Sequence, residues 1–331
     1  MINKILLAIF LYVNIFIAQS QITWSSAMDI SASTFSNMLP RMALDRAGNP
    51  LVIWGRMSDQ SIFFSRWTGS SFTTPVKLNP SSMTVTITSW MGPDIASKGD
   101  TVYVVLRQSP ESADTSKHTY ILRSFDGGVS FAAPVRVDYI KDSMSRFPTV
   151  TVDAAGNPIV GFMELNSMYG DAHWVVTKST DMGNSFTVDK KASGWGSSSS
   201  EVCDCCPGAI VSSGNNSAML YRNNISNIRD IWTGISTDNN VSYSSGFTVD
   251  DNNWMIMSCP SSGPDGVIIG DTLYSVFMNG GSMDDLSYLS KSSISGGAVN
   301  SVDNLTGSIT GLLEQNYPRI ADPLSIASVR L

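Results

Sequence analysis

Apolar residues in this chain fall in short runs, and the runs come in pairs. Leu51-Val-Ile-Trp54, Val102-Tyr-Val-Val105, Ile159-Val-Gly-Phe162 and Tyr274-Ser-Val-Phe277 are rich in β-branched and aromatic side chains. Ahead of them stand the polar turns Gly48-Asn49-Pro50, Gly99-Asp100, Gly156-Asn157-Pro158 and Gly270-Asp271, with Gly214-Asn215 a further turn of the same kind. Each turn follows another apolar run. Apolar runs paired around Gly-Asn or Gly-Asp predict antiparallel hairpins. Past the first residues, no segment has a convincing helical period.

The pairs recur at a fixed interval. Short strands open at Pro40, Pro93, Pro148, Pro207, Pro264 and Pro318, spaced by 53, 55, 59, 57 and 54 residues. A second series keeps step with them. Ser124-Phe-Asp126-Gly-Gly128-Val-Ser130-Phe131 and Ser179-Thr-Asp181-Met-Gly183-Asn-Ser185-Phe186 share the pattern S-x-D-x-G-x-S-F. Ser236-Thr-Asp238-Asn-Asn240-Val-Ser242-Tyr243 keeps most of it, Ser65 to Phe72 lacks the aspartate, and Ser292 to Gly296 is a worn copy. A period of this length predicts an array of supersecondary units, and four-stranded units arranged radially form a propeller. We expect an all-β, six-bladed β-propeller of four-stranded antiparallel blades. Five complete blades should lie within residues 36–316, with a sixth incomplete at the C-terminus. Residues Ile22 to Ser33 could supply an outer strand that helps to close the ring.

Charge and the chain's start narrow the setting. Lys4 is followed by the apolar stretch Ile5 to Phe16 and then Ala18-Gln-Ser20, so residues 1–20 read as a secretory signal peptide and 21–331 as a single propeller domain. Secretion, extracellular or periplasmic, follows, with no stable membrane insertion after cleavage. The net charge of −7 leaves no basic stripe to hold a phosphate backbone, which argues against a nucleic-acid partner. Ser197 to Ser200 reads as a low-complexity loop.

The S-x-D-x-G repeats resemble the Asp-boxes, or bacterial neuraminidase repeats, of the sialidase superfamily. That resemblance spans nearly all of the mature length. It implies that the boxes lie on the face opposite the active site, while the openings of the first strands and the loops between second and third strands form the working face. Arg41, Asp94, Glu201, the Cys203–Cys206 cluster, Cys259, Tyr317 and Arg319 then gather at the channel mouth. Arg56 and Asp59, His118, Glu164 to His173, Arg222 to Asp230, and Asp284-Asp285 lie on the loops. A sialidase grips the substrate carboxylate with arginines, because a guanidinium matches a carboxylate bidentately. It uses a tyrosine–glutamate nucleophile and an aspartate acid/base. On this pattern Arg41 is placed like the first arginine of the family, and Asp59 like its acid/base. Tyr317 matches the nucleophile with Glu201 beside it, and Arg222 and Arg229, with Arg319 as an alternative, match the remaining arginines. The resemblance implies a glycan partner and no cofactor. Trp90, Trp195 and Trp254, just before blade openings, could stack on sugar faces or pack over the rim.

Cys203-Asp-Cys205-Cys206-Pro207 is not part of the sialidase catalytic pattern. It resembles a C-x-C-C-P segment of secreted Asp-box proteins of unassigned function. The chain has four cysteines, and Cys206-Pro207 and Cys259-Pro260 open adjacent blades. In an oxidising compartment we expect two disulfides and no free thiol. Three pairings are possible; Cys206–Cys259 with Cys203–Cys205, or a rearranged alternative, would tie the mouth. The rival is a soft copper or zinc site of these thiolates with His118 or His173. The leading functional reading is a sialidase-like exo-glycosidase acting on acidic glycans. The alternatives are a non-catalytic glycan- or protein-binding propeller and an extracytoplasmic metal-binding propeller.

Overall fold

The computed structural model describes residues 26–32, 34–109, 118–140, 143–195, 202–280, 285–307 and 318–320. The predicted leader at 1–20, the Ser197–Ser200 loop, Glu201 and Tyr317 lie outside the described residues. The described chain is all strand, turn and loop, without a helix. It forms five four-stranded antiparallel meanders, each within one sequence repeat. The first contains β1 (Asn37–Leu44), β2 (Pro50–Arg56), β3 (Ser61–Arg66) and β4 (Val76–Lys77). The second contains β5 (Asp94–Lys98), β6 (Thr101–Arg107), β7 (Thr119–Ser124) and β8 (Val135–Arg136). The third contains β9 (Ser143–Val152), β10 (Pro158–Asn166), β11 (His173–Lys178) and β12 (Lys190–Lys191). The fourth contains β13 (Ala209–Ser213), β14 (Asn216–Arg222), β15 (Ile231–Ser236) and β16 (Ser245–Thr248). The fifth contains β17 (Asp265–Ile269), β18 (Thr272–Gly280), β19 (Asp285–Ser293) and β20 (Ala298–Asn304). The paired apolar runs are the first and second strands of each sheet, as the turn signals require.

Core residues show why the sheets stand face to face. The second strand of each sheet is apolar on both sides: Leu51 and Ile53 point one way along β2, Val52 and Trp54 the other, and all are buried. A strand buried on both faces needs a neighbour on each side. Leu51, Ile53 and Phe64 pack with Val102, Val104 and Leu122 of the second sheet. Tyr103, Val105 and Ile121 pack with Val160, Phe162 and Val175 of the third. Trp174 and Met163 pack with Met219 and Tyr221 of the fourth, and Leu220 and Ile235 with Leu273 and Phe277 of the fifth. On the outer side of the first sheet, Val52, Trp54 and Phe63 are met by Ile30. The expected outer strand from Ile22 to Ser33 is not formed in its described part, residues 26–32, which cover this face without joining the ladder.

Inner strands are also stitched to one another. Ser97 donates to the Leu44 carbonyl at 2.6 Å, Thr149 to the Asp94 carboxylate at 2.9 Å, and Ser212 to the Val152 carbonyl at 2.9 Å. Each bond joins one repeat to the repeat before it, so the ring angle is set by polar contacts near the axis and apolar ones farther out.

The S-x-D-x-G boxes are the turns between third and fourth strands. In the second sheet Asp126 accepts the Val129 and Ser130 N–H groups at 3.0 and 2.9 Å and the Ser130 hydroxyl at 2.6 Å. Ser124 Oγ accepts the Gly128 N–H at 2.9 Å. Asp181 and Asp238 repeat this pattern at Ser185 and Ser242. The box turns bond to the turn between the first two strands: Gly127 N–H to the Asp100 carbonyl, Asn239 N–H to the Asn215 carbonyl, and Ile294 N–H to the Asp271 carbonyl, at 2.8–2.9 Å. Both sets of turns therefore share one face. The other face is left to the blade openings and the loops between second and third strands.

Candidate functional site

The residue that follows each opening proline reaches the channel. Arg41, Asp94, Thr149, Gly208, Asp265 and Arg319 occupy equivalent places in six successive repeats, and all six line one cavity of about 760 Å³. Trp90, Met91 and Phe147 line it as well. A bulge in β1 between Met38 and Arg41, with Leu39 at φ 52°, and a second at Phe147, φ 49°, turn the chain into the opening just before Pro40 and Pro148. Bulges of this kind redirect side chains at functional rims.

The charges at the mouth fall into two arginine–aspartate pairs. Arg41 Nε lies 3.8 Å from Asp94 Oδ1, and Arg319 Nη1 lies 3.8 Å from Asp265 Oδ2. Asp94 also accepts the Val150 N–H at 3.0 Å, and Asp265 accepts the Ile320 N–H at 3.2 Å. Burial raises the Asp265 carboxyl above its ordinary range, against the pull of Arg319. The Asp265–Ile320 contact seats the start of the sixth repeat against the fifth. Asp265 is the charged member of this ring that the sequence analysis does not single out. The signal was its place directly after Pro264.

The other predicted residues are distributed differently. Asp59 sits in the turn between β2 and β3, 3.9 Å from Arg56 Nη1, and is not among the residues lining the cavity. Arg56 itself packs on the rings of Phe35 and Phe63, centroids 3.9 and 3.8 Å away. Arg222, expected to grip substrate, is fully buried and donates to the carbonyls of Ser262, Arg229 and Met278 at 3.1, 2.6 and 2.6 Å. Arg229 is buried too, with Nη1 2.8 Å from Cys203 Sγ. The predicted grip on substrate does not fit these placements: the hydrogen bonds of both side chains described here are made inside the protein. Trp254 is buried beneath the Arg222 guanidinium, which lies 5.1 Å from its ring. Trp195 fills the space above Gly246, whereas Trp90 lines the cavity.

No protein-family model and no curated protein matches this sequence. Solved structures do. The chain is similar to the Hadza microbial sialidase Hz136, with 12% identity and a TM-score of 0.54 over 82% of this chain and 58% of that one. It is similar to the GH93 α-L-arabinofuranosidase of Fusarium graminearum, at 11% identity and a TM-score of 0.55 over 82% of each chain. It is similar again to the Trypanosoma rangeli sialidase, at 12% identity and 0.53 over 78% of this chain and 46% of that. The chain has the sialidase-like propeller fold. It spans 58% of the length of Hz136. At these identities the likeness speaks to fold alone, because one propeller carries many chemistries.

On this fold the four cysteines collect where the fourth blade opens. Cys205 and Cys259 form a disulfide across adjacent openings, with Cα atoms 6.1 Å apart. This corrects the expected Cys206–Cys259 pairing by one position. It also corrects the expectation of no free thiol: Cys203 and Cys206 are unbonded and buried, their sulfurs 3.2 Å apart. The reason is local. Cys206 N–H bonds to the Cys203 carbonyl in a tight turn, which directs both of these side chains inward and leaves Cys205 facing the next blade. Hydrogen bonding from Cys206, aided by the Arg229 guanidinium, lowers the Cys203 thiol to about 6. Burial pushes the Cys206 thiol up. The sulfurs of Cys203, Cys205 and Cys206 are close enough together to share a soft metal, but Cys205 already gives its sulfur to Cys259. His118 lies against Asp138 at 2.9 Å and His173 against Glu164 at 3.5 Å; neither belongs to the sulfur group.

Proposed function

We propose that this chain is a secreted, sialidase-like, six-bladed propeller that takes the acidic terminal sugar of a glycan into the channel mouth and cleaves it as an exo-glycosidase. The carrying observation is the pair Arg41 and Arg319, which open the first and sixth repeats and line one cavity. Each faces its aspartate at 3.8 Å, beyond hydrogen-bond length. A planar guanidinium matches a sugar carboxylate bidentately through short charge-assisted bonds, so two guanidiniums on one cavity suit an acidic sugar. Tyr317 stands two residues before Arg319 in the sequence. It is the proposed nucleophile, with Glu201 as its base and Asp59 as the acid. Six equivalent openings around one cavity support the count of six blades.

The test is release of sugar from a fluorogenic sialoside, run beside a fluorogenic α-L-arabinofuranoside as a neutral control. Turnover of the sialoside should fall nearly to zero in Tyr317→Phe with binding largely kept, while Arg41→Ala should weaken binding of acidic sugars by at least tenfold. Turnover of the neutral sugar alone would remove the acidic-glycan assignment. The position of Asp59 outside the cavity favours a second reading, a glycan-binding propeller without chemistry. Saturable sialoside binding without release by the wild-type chain would establish it.

A further inference from the structure

The sulfur cluster has a layered arrangement that the glycosidase reading does not use. Cys259 is exposed, Cys205 is half-buried, and Cys203 and Cys206 are buried. The bonded pair therefore stands on the outside and the unbonded pair directly beneath it. Cys203 Sγ lies 3.4 Å from Cys205 Sγ and 3.2 Å from Cys206 Sγ, while Cys206 is 4.0 Å from Cys205. Cys203 is thus the one unbonded thiol in close contact with both possible partners. Its sulfur receives the Nη1–H of Arg229 at 2.8 Å, a cation held in the interior. A guanidinium beside a thiol favours the thiolate, and the thiolate is the nucleophile of disulfide exchange.

We propose that Cys203, Cys205, Cys206 and Cys259 form a thiol–disulfide exchange site, in which Cys203 attacks the outer disulfide and turns Cys259 into a reactive surface thiol. The electrons balance within the cluster. The Cys203 thiolate gives a lone pair to Cys205 Sγ, and a Cys203–Cys205 bond forms. The Cys205–Cys259 bond breaks, and its pair leaves on Cys259 Sγ, which takes a proton from water. Cys206 can then attack Cys203, forming Cys203–Cys206 and expelling Cys205 as a thiolate that accepts the Cys206 proton. Each state keeps one disulfide and two thiols, so no outside oxidant or reductant takes part. Exchange also unties the loop before β17 from the loop before β13, and it leaves Cys259 open to electrophiles and to low-molecular-weight disulfides.

The experiment is alkylation of the native, full-length protein with iodoacetamide, without reductant, followed by denaturation, blocking of remaining thiols with a second reagent and peptide mapping. Exchange predicts stoichiometric label on Cys259, with Cys203 recovered bonded to Cys205 or Cys206. Cys203→Ser should slow labelling of Cys259 at least tenfold. Cys206→Ser should keep the fast labelling and trap Cys203–Cys205, which keeps the test decisive if the first variant folds poorly. The proposal is overturned by label on Cys203 or Cys206 with Cys205–Cys259 intact, by an unlabelled native protein that shows two thiols when denatured, or by a denatured protein with no thiol. Stoichiometric zinc or copper that blocks all labelling until a chelator is added would overturn it in favour of a metal site.

Discussion

A carboxylate that accepts two backbone N–H groups and a serine hydroxyl in one turn is held ionised, because those donors bond the charged form more strongly than the neutral acid. Asp126, Asp181 and Asp238 are lowered to about 2 in this way, the hydroxyls of Ser130, Ser185 and Ser242 contributing most. With the folded value below the unfolded one, their stabilisation is complete above roughly pH 4. It is lost as pH falls through about 2. Asp181→Ala should therefore lower the thermal midpoint by a few degrees at pH 7 and by almost nothing near pH 2. Calorimetry of both proteins at the two pH values decides it; an equal loss at both would assign the effect to packing, not to the ionised turn. The substitution lies on the face away from the cavity, so a folded variant should keep whatever activity the wild type has.

At the scale of one blade, the worn fifth box shows what a motif can hide. Ser293, Ser295 and Gly296 keep the turn, but the sequence has no aspartate between them. Asp271, from the turn between β17 and β18, supplies it: its carboxylate accepts Ser295 N–H at 3.0 Å and the Ser293 and Ser295 hydroxyls at 2.9 and 2.8 Å. A pattern read along the chain finds a partner four residues away and misses one 24 residues away that the hairpin brings back. The same limit runs through the site. The blades were legible because apolar alternation, Gly-Asn turns and opening prolines are local. The Arg41 and Arg319 positions were legible because each directly follows such a proline. The burial of Arg222 and Arg229 was not, since Arg222 bonds the carbonyls of Ser262 and Met278, forty and more residues on, and Arg229 the sulfur of Cys203, 26 residues back. The disulfide partner of Cys259 was beyond reach for a related reason: spacing allows Cys203, Cys205 or Cys206, and only the turn at Cys203–Cys206 chooses. Gly208 tests how tightly a blade opening is packed. A Cβ there would meet Met219 Cε at 2.6 Å, the Leu220 carbonyl at 2.7 Å and Trp174 at 2.8 Å. Gly208→Ala should destabilise by about 1–3 kcal/mol, as overpacking of a filled site does. Denaturant unfolding measures this, and an unchanged midpoint would mean that the third and fourth blades slide apart more readily than their contacts suggest.

For the whole molecule, buried carboxylates set a second pH dependence that opposes the first. Asp189, with Oδ1 buried and unbonded and Oδ2 accepting the Tyr139 N–H at 3.1 Å, is raised to about 7 by burial, with Asp138 and Glu164 adding to it. Asp250, enclosed with Asp230 and Asn279 between the fourth and fifth sheets, is raised to about 6, again chiefly by burial. Both folded values stand above the unfolded value near 4, so between those limits the folded protein holds protons that the unfolded chain has released. Stability must then fall as pH rises from about 4 to 7, by at most about 1.4 kcal/mol per pH unit for each proton involved. Above the higher value the loss is complete. Together with the Asp-boxes, which lose their contribution below pH 4, these carboxyls favour the acid side of neutrality, and the Cys203 thiol, lowered to about 6 in the fold, opposes them in part by adding stability as pH rises from there toward its unfolded value. The thermal midpoint should rise from pH 8 to pH 5 and drop again toward pH 2. Asp189→Asn keeps an acceptor for Tyr139 and cannot ionise, so it should raise the midpoint at pH 8, leave it nearly unchanged at pH 4.5, and flatten the slope between. Asp250→Asn should do the same over a window ending about one pH unit lower, because its folded value is lower. Midpoints of the three proteins measured every half unit would separate the two carboxylates. Midpoints of Asp189→Asn and Asp250→Asn that track the wild type from pH 5 to pH 8 would show instead that both carboxyls are ionised in the folded state.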